Sequence, residues 1–127
     1  MRRYVLTLLL CFAGLLAVYG ADFGKVVRID RTVHDFGKVR MKDGALECSF
    51  TVTNIGEEPM YILTVVSTCS CTGIEWTQTE IKPGESGTIK ASYNNQDGPY
   101  PFDKTIKVYF SNYNKPVALH LKGVVGK

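Results

Sequence analysis

Leu46-Glu47-Cys48-Ser49-Phe50-Thr51-Val52-Thr53-Asn54 is the stretch that decides the fold. Leu46, Cys48, Phe50 and Val52 alternate with Glu47, Ser49, Thr51 and Thr53. A period of two belongs to a strand, because successive side chains point to opposite faces. One face is therefore buried and the other wet. The stretch runs into Asn54-Ile55-Gly56-Glu57-Glu58-Pro59, a turn in which Gly56 is expected to supply positive φ.

The same pattern recurs on both sides. Residues 25–30 and 36–40 form short extended pieces. Residues 60–66 are nearly all apolar apart from Thr64, which suits a central strand covered on both faces. Lys82-Pro83-Gly84-Glu85 reads as a type II turn, with φ preset by Pro83 and made positive at Gly84. Ile89, Ala91 and Tyr93 then face inward. Asp97-Gly98, with Pro99 and Pro101, makes the next loop. Ile106, Val108 and Phe110 follow, and after Ser111-Asn112-Tyr113-Asn114 come Val117, Leu119 and Leu121. Phe50, Val52, Ile106, Val108, Leu119 and Leu121 are expected in one core, with Cys48 beside them. No window shows the three-to-four spacing of a helical stripe. The fold class is all-β: an immunoglobulin-like antiparallel β-sandwich of about seven strands. A closed barrel is the alternative. The sandwich is preferred because residues 60–66 need cover on both sides.

The first residues read differently. Arg2 and Arg3 precede the apolar residues 4–18, and Val18-Tyr19-Gly20 offers a cleavage site with small residues at its outer positions. That is the layout of a signal peptide over residues 1–20. The apolar run falls short of the ~20 residues that a membrane-spanning helix needs, so an uncleaved anchor is the lesser alternative. Cys11 lies inside this segment, preceded by Leu10, not by the small residue that a lipoprotein site wants. The expected mature domain is residues 21–127, long enough to bury a core of its own. Setting aside Arg2 and Arg3 leaves thirteen basic residues against twelve acids. A balance so near neutrality gives no support for nucleic-acid binding. The charge is unevenly spread: residues 43–85 carry seven acids and only Lys82 as a base. Opposite charges paired across neighbouring strands explain this more simply than a functional patch.

Chemistry concentrates in Thr68-Cys69-Ser70-Cys71-Thr72. Exported thiols are oxidised, metal-bound or protected. On an extended strand the two Cα atoms would lie ~6.6 Å apart, near the upper limit for a disulfide. A disulfide, a reduced pair and a soft-metal site all remain open. Cys48 shares parity with Phe50 and is read as a buried, inert thiol, with a bridge to Cys69 or Cys71 as the alternative. No Cys-x-x-Cys or His-x-x-x-His spacing supports a closed zinc site. His34 and His120 are the only imidazoles, each with an ordinary place on or near a strand. No paired carboxylates stand at a suggestive spacing. No catalytic residue, metal ligand or cofactor is therefore assigned. Trp76 is read as a packing residue that also borders a contact segment over residues 69–76.

Five motifs occur in order: Val33-His34-Asp35-Phe36-Gly37-Lys38-Val39, Phe50-Thr51-Val52-Thr53-Asn54-Ile55-Gly56, Cys69-Ser70-Cys71-Thr72, Lys82-Pro83-Gly84-Glu85-Ser86-Gly87 and Leu119-His120-Leu121-Lys122-Gly123-Val124. Together they resemble the bacterial domain of unknown function 1573 family. That family is similar to the Hydin-like (ASH) and major-sperm-protein-type immunoglobulin-like modules. The resemblance implies an exported, non-catalytic sandwich and brings no activity with it. The family's usual thiol motif is Cys-Gly-Cys-Thr. Ser70 stands in place of that glycine, and resists any bend that requires positive φ.

The expectation is an exported, periplasmic or extracellular module that binds or builds at the cell envelope. Its partner would be a protein or another envelope component, with no nucleic acid and no membrane span after cleavage. Asn54, Gly56, Glu57 and Trp76 mark the candidate contact loops. The rival is a thiol-active protein, redox or soft-metal binding, that works through Cys69 and Cys71.

Overall fold

A computed structural model describes residues 20–126. The expected signal segment lies outside the described residues, apart from Gly20. Nine strands form two sheets packed face to face: β1 (Ala21–Phe23), β2 (Val27–Ile29), β3 (Val33–Arg40), β4 (Leu46–Asn54), β5 (Ile62–Ser67), β6 (Thr72–Trp76), β7 (Ser86–Tyr93), β8 (Pro101–Phe110) and β9 (Tyr113–Gly126). The first sheet has the order β1-β2-β4-β7-β6 and the second β3-β9-β8-β5. No α-helix occurs among the described residues, and none of them forms a helix long and apolar enough to cross a membrane.

The alternation read in β4 is the alternation observed. Phe50 and Val52 are fully buried, opposite Ile89 and Gly87 of β7. In the facing sheet Ile106 pairs with Leu119 and Val108 with Val117 across β8 and β9, and all four are buried. Each such side chain contributes about 1.5–3 kcal/mol through burial. Cys48 points inward as its parity requires, but sits near the start of β4 and is only half-buried. The turn at residues 82–85 also forms as read: Gly84 has φ 85° and the Glu85 amide donates to the Lys82 carbonyl. Several cross-strand neighbours carry opposite charge, such as Glu75 with Lys90 and Asp103 with Lys122.

The structure departs from the expectation in three ways. There are nine strands, not about seven. The additions are β1, three residues with no alternation to reveal it, and β6, whose Gly73 breaks the apolar pattern. The sheets are not wholly antiparallel, since β3 runs parallel to β9. A period of two says which face is buried and nothing about which strand lies alongside.

The third departure concerns residues 60–66. This segment is no central strand: β5 lies at the edge of its sheet. Met60, Ile62 and Val65 face the core, while Tyr61, Leu63 and Val66 are 45%, 59% and 43% exposed. An apolar run is the same whether the second face is covered or bare. The register shift between Ile62 and Thr64 moves two successive residues off the core face.

Candidate functional site

One end of the sandwich is built around Asn54. The residue is fully buried at the end of β4. Its Nδ2 donates to the carbonyls of Glu58 (2.7 Å) and Ile81 (2.9 Å), and its Oδ1 accepts from the Gly56 amide (2.9 Å). Its backbone amide donates to Glu85 and its carbonyl accepts from Gly84. One residue, through its side chain and its backbone together, thus ties the turn at 54–59 to the turn at 82–85. Buried polar groups must be paired, and here each one is. Asn54 therefore holds the loop from inside and offers no exposed surface of its own. Glu57 and Glu58, which it braces, are exposed. Gly56 plays a different part from the one expected. Its φ is not positive; instead a Cβ there would stand 3.1 Å from Val26 Cγ1 and 3.4 Å from Asn54 Oδ1. The glycine makes room for Val26, which packs closely against it. A cleft of about 410 Å³ separates this turn from the β8–β9 hairpin turn at Ser111 and Asn112. Asn112 Oδ1 lacks a hydrogen-bond partner among the described residues.

The opposite end turns on a second buried asparagine. Asn95 takes the left-handed conformation (φ 61°), which few residues other than glycine tolerate. Its Nδ2 donates to the carbonyls of Arg40 (2.8 Å) and Gly44 (3.1 Å), while Oδ1 lacks a partner among the described residues. Beside it the Tyr93 hydroxyl donates to Asp97 (2.9 Å), and the Lys104 ammonium pairs with the same carboxylate (3.0 Å). Burial, reinforced by Asp97, pushes the Tyr93 phenol up to about 12. Lys104, with help from the tyrosine, holds Asp97 below its ordinary value.

At this second end Cys69 and Cys71 are joined as a disulfide, with Cα atoms 5.1 Å apart. The bend is made without positive φ at Ser70, so serine is no obstacle to closing the ring. The Thr72 amide donates to the Cys69 carbonyl and closes the turn, and the Ser67 hydroxyl accepts from the Cys69 amide. Cys71 is nearly buried against the core. Cys48 is free, and burial pushes its thiol up to about 11, which keeps it protonated and unreactive. Trp76 closes β6 opposite Ile89 and is partly buried against the core.

The two imidazoles are tied to neighbours. His34 Nδ1 meets Arg31 Nη2 at 2.9 Å, and burial first, then the Arg31 charge, lowers its pKa. Arg31 also donates to the Ser49 carbonyl and lies over the Phe50 ring. His120 pairs with Asp103 at 3.0 Å on the outer face of the second sheet. Neither forms a hydrogen bond with Cys48, so no thiol–base pair is assembled. Among the described residues no three His, Cys, Asp or Glu side chains converge.

This arrangement can be set beside known proteins. The model of the family described as protein of unknown function (DUF1573) matches residues 27–125. The chain belongs to that family. No curated protein matches the sequence. Among solved structures, a protein of unknown function from Porphyromonas gingivalis W83 superposes with a TM-score of 0.67 at 21% identity, over 86% of this DUF1573 chain and 50% of that one. The secreted serine protease VesC from Vibrio cholerae gives 0.64 at 19% identity, over 80% and 23%. A family 123 glycoside hydrolase from Clostridium perfringens gives 0.62 at 10% identity, over 75% and 23%. The chain thus spans half or less of each of these proteins. At such identities the likeness is one of fold.

Proposed function

We propose that this protein is an exported, non-catalytic binding module of the cell envelope, which meets its partner through the acidic turn at residues 54–59. The observation that carries this reading is the full satisfaction of Asn54. A loop held by five hydrogen bonds has little ordering cost left to meet on binding, which is what preorganisation means. Glu57 and Glu58 offer carboxylates at its surface, and the cleft beside Ser111 and Asn112 gives a partner side chain somewhere to enter. The complementary partner is a basic or donor-rich surface of an envelope protein. Export rests on the residue pattern of positions 1–20. Membership of a family described only as of unknown function, and a fold shared with an uncharacterised protein, are compatible with a non-catalytic role.

The test is site-specific photocrosslinking in the cell, with the reactive group at position 57 and, as control, at Tyr100 beyond the other end. One discrete adduct from position 57, abolished by Glu58→Lys, is the expected result. Adducts from position 100 alone would overturn the reading. The thiol-active alternative has one observation of its own. A ring closed over a sequence separation of two removes little unfolded-state entropy, so stability alone is a weak reason for the bond. Reduction of Cys69–Cys71 by an exported thiol protein during normal growth, read by thiol trapping, would favour it.

A further inference from the structure

We infer that the Cys69–Cys71 bond is a thiol–disulfide exchange site, entered at Cys69 by a partner protein that carries two neighbouring thiols. The turn around it is held without the sulfurs. The Thr72 amide donates to the Cys69 carbonyl (3.2 Å). The Ser67 hydroxyl accepts from the Cys69 amide (3.1 Å) and donates to the Cys69 carbonyl (3.3 Å). The Asn94 amide donates to the Cys71 carbonyl (2.9 Å), which fastens the turn to the end of β7. None of these bonds involves a sulfur, so none is lost when the sulfurs part. They also keep the two thiols close enough for the ring to close again. Since a ring over a sequence separation of two adds little through unfolded-state entropy, the fold does not depend on it.

The two sulfurs are not equivalent. Cys71 is 9% exposed and belongs to the core, whereas Cys69 is only partly buried. Thr68 and Ser70, on either side of Cys69, are exposed, and residues 67–72 carry no charge to repel an incoming thiolate. A partner therefore meets Cys69 first. The Cys71 amide donates to Cys69 Sγ (3.2 Å), and an N–H aimed at sulfur favours negative charge there. The Cys71 sulfur has the Thr72 hydroxyl at 3.8 Å. Access decides which sulfur is attacked, and the stability of the departing thiolate helps to set how fast it leaves.

The exchange runs in two steps. A partner thiolate attacks Cys69 Sγ. The new S–S bond forms as the Cys69–Cys71 bond breaks, and Cys71 leaves as a thiolate that takes a proton from solvent. The partner's second thiol gives its proton to solvent and attacks the partner's own sulfur in the mixed disulfide. Cys69 then leaves as a thiolate held by the Cys71 amide. Two electrons pass from the partner's dithiol to this pair, and the partner is left as a disulfide. The site deepens the thiol-active reading and asks nothing of the turn at 54–59, so exchange and crosslinking from position 57 succeed or fail separately.

The test uses the purified full chain with reduced glutathione, a single thiol, and reduced thioredoxin, a paired one. Thioredoxin should reduce the bond about tenfold or more faster than glutathione at equal thiol concentration, with the near-ultraviolet circular dichroism retained. Thioredoxin whose second thiol is replaced by serine should stop at the mixed disulfide, mapped by peptide mass to Cys69. With iodoacetamide at neutral pH, Cys69 in Cys71→Ser should react about tenfold or more faster than Cys71 in Cys69→Ser. A bond that thioredoxin leaves oxidised, or reduces no faster than glutathione does, overturns the inference. So does an adduct on Cys71, equal reactivity in the two variants, or loss of the near-ultraviolet signal on reduction, which would make the bond structural.

Discussion

The two ends of this sandwich are each organised by one buried asparagine, and they are not equivalent. Asn54 satisfies every polar atom of its side chain and keeps an ordinary backbone. Asn95 sits in the left-handed region and leaves Oδ1 without a partner among the described residues. Both fasten loops to the core through paired carbonyls. The first does so with nothing left unsatisfied. The second carries a backbone cost and an unpaired acceptor, each of the order of 1–3 kcal/mol. The lesson is that burial of an asparagine says little until its donors and acceptors are counted. The fully satisfied end is the one suited to presenting a fixed surface.

Substitution at the two positions should separate the ends. Asn54→Ala removes three side-chain hydrogen bonds and takes this partner from the Gly56 amide and the Glu58 carbonyl, while the Ile81 carbonyl keeps the Met60 amide, so a loss of about 2–3 kcal/mol is expected in denaturant melts. Asn95→Gly loses two bonds but relieves the left-handed backbone and removes the unpaired oxygen. Its expected cost is about 1 kcal/mol. Equal costs would erase the distinction between the ends.

The disulfide sharpens the comparison further. Cys69→Ser with Cys71→Ser should cost about 1–1.5 kcal/mol, the loop-entropy value for so short a ring. The two single variants should cost much the same as the double, since neither cysteine has another partner. A far larger loss in one single variant would mean that Cys48 had taken part. Cys48 itself should react slowly with thiol reagents near neutral pH, because its thiol is pushed up to about 11.

The smallest effect is one of acidity. Lys104 and Tyr93 hold Asp97 below its ordinary value, so its contribution is present above about 3.8, the unfolded value. That contribution is lost as pH falls through the lowered folded value. The melting temperatures of wild type and Asp97→Asn should therefore differ at neutral pH and converge in strong acid. A gap that persists in strong acid would contradict the assignment.

Much of the fold was legible in the residues. Alternation in β4, β7, β8 and β9 placed the core, and Pro83-Gly84 placed its turn, because both signals are local. Edge position, parallel pairing and the short β6 were not legible, because each depends on which strand lies alongside. The candidate site was legible only as a place. The turn at 54–59 could be marked by Asn54, but not the fact that Asn54 is the buried brace of that turn. An asparagine that closes an alternating strand, with glycine two residues on, is the signal that could have shown this. Asn95 had no such signal: its role depends on Arg40 and Gly44, distant in sequence.

Native-state hydrogen exchange tests most directly whether the turn at 54–59, the proposed contact surface, is preorganised. The Gly56 and Gly84 amides, bonded to Asn54 Oδ1 and to its carbonyl, should exchange only through openings close to global unfolding. The Gln96 amide, in the loop after Asn95, should exchange through far smaller openings. If Gly56 and Gly84 exchange as fast as Gln96, the turn is mobile and the account of a preformed binding surface is wrong.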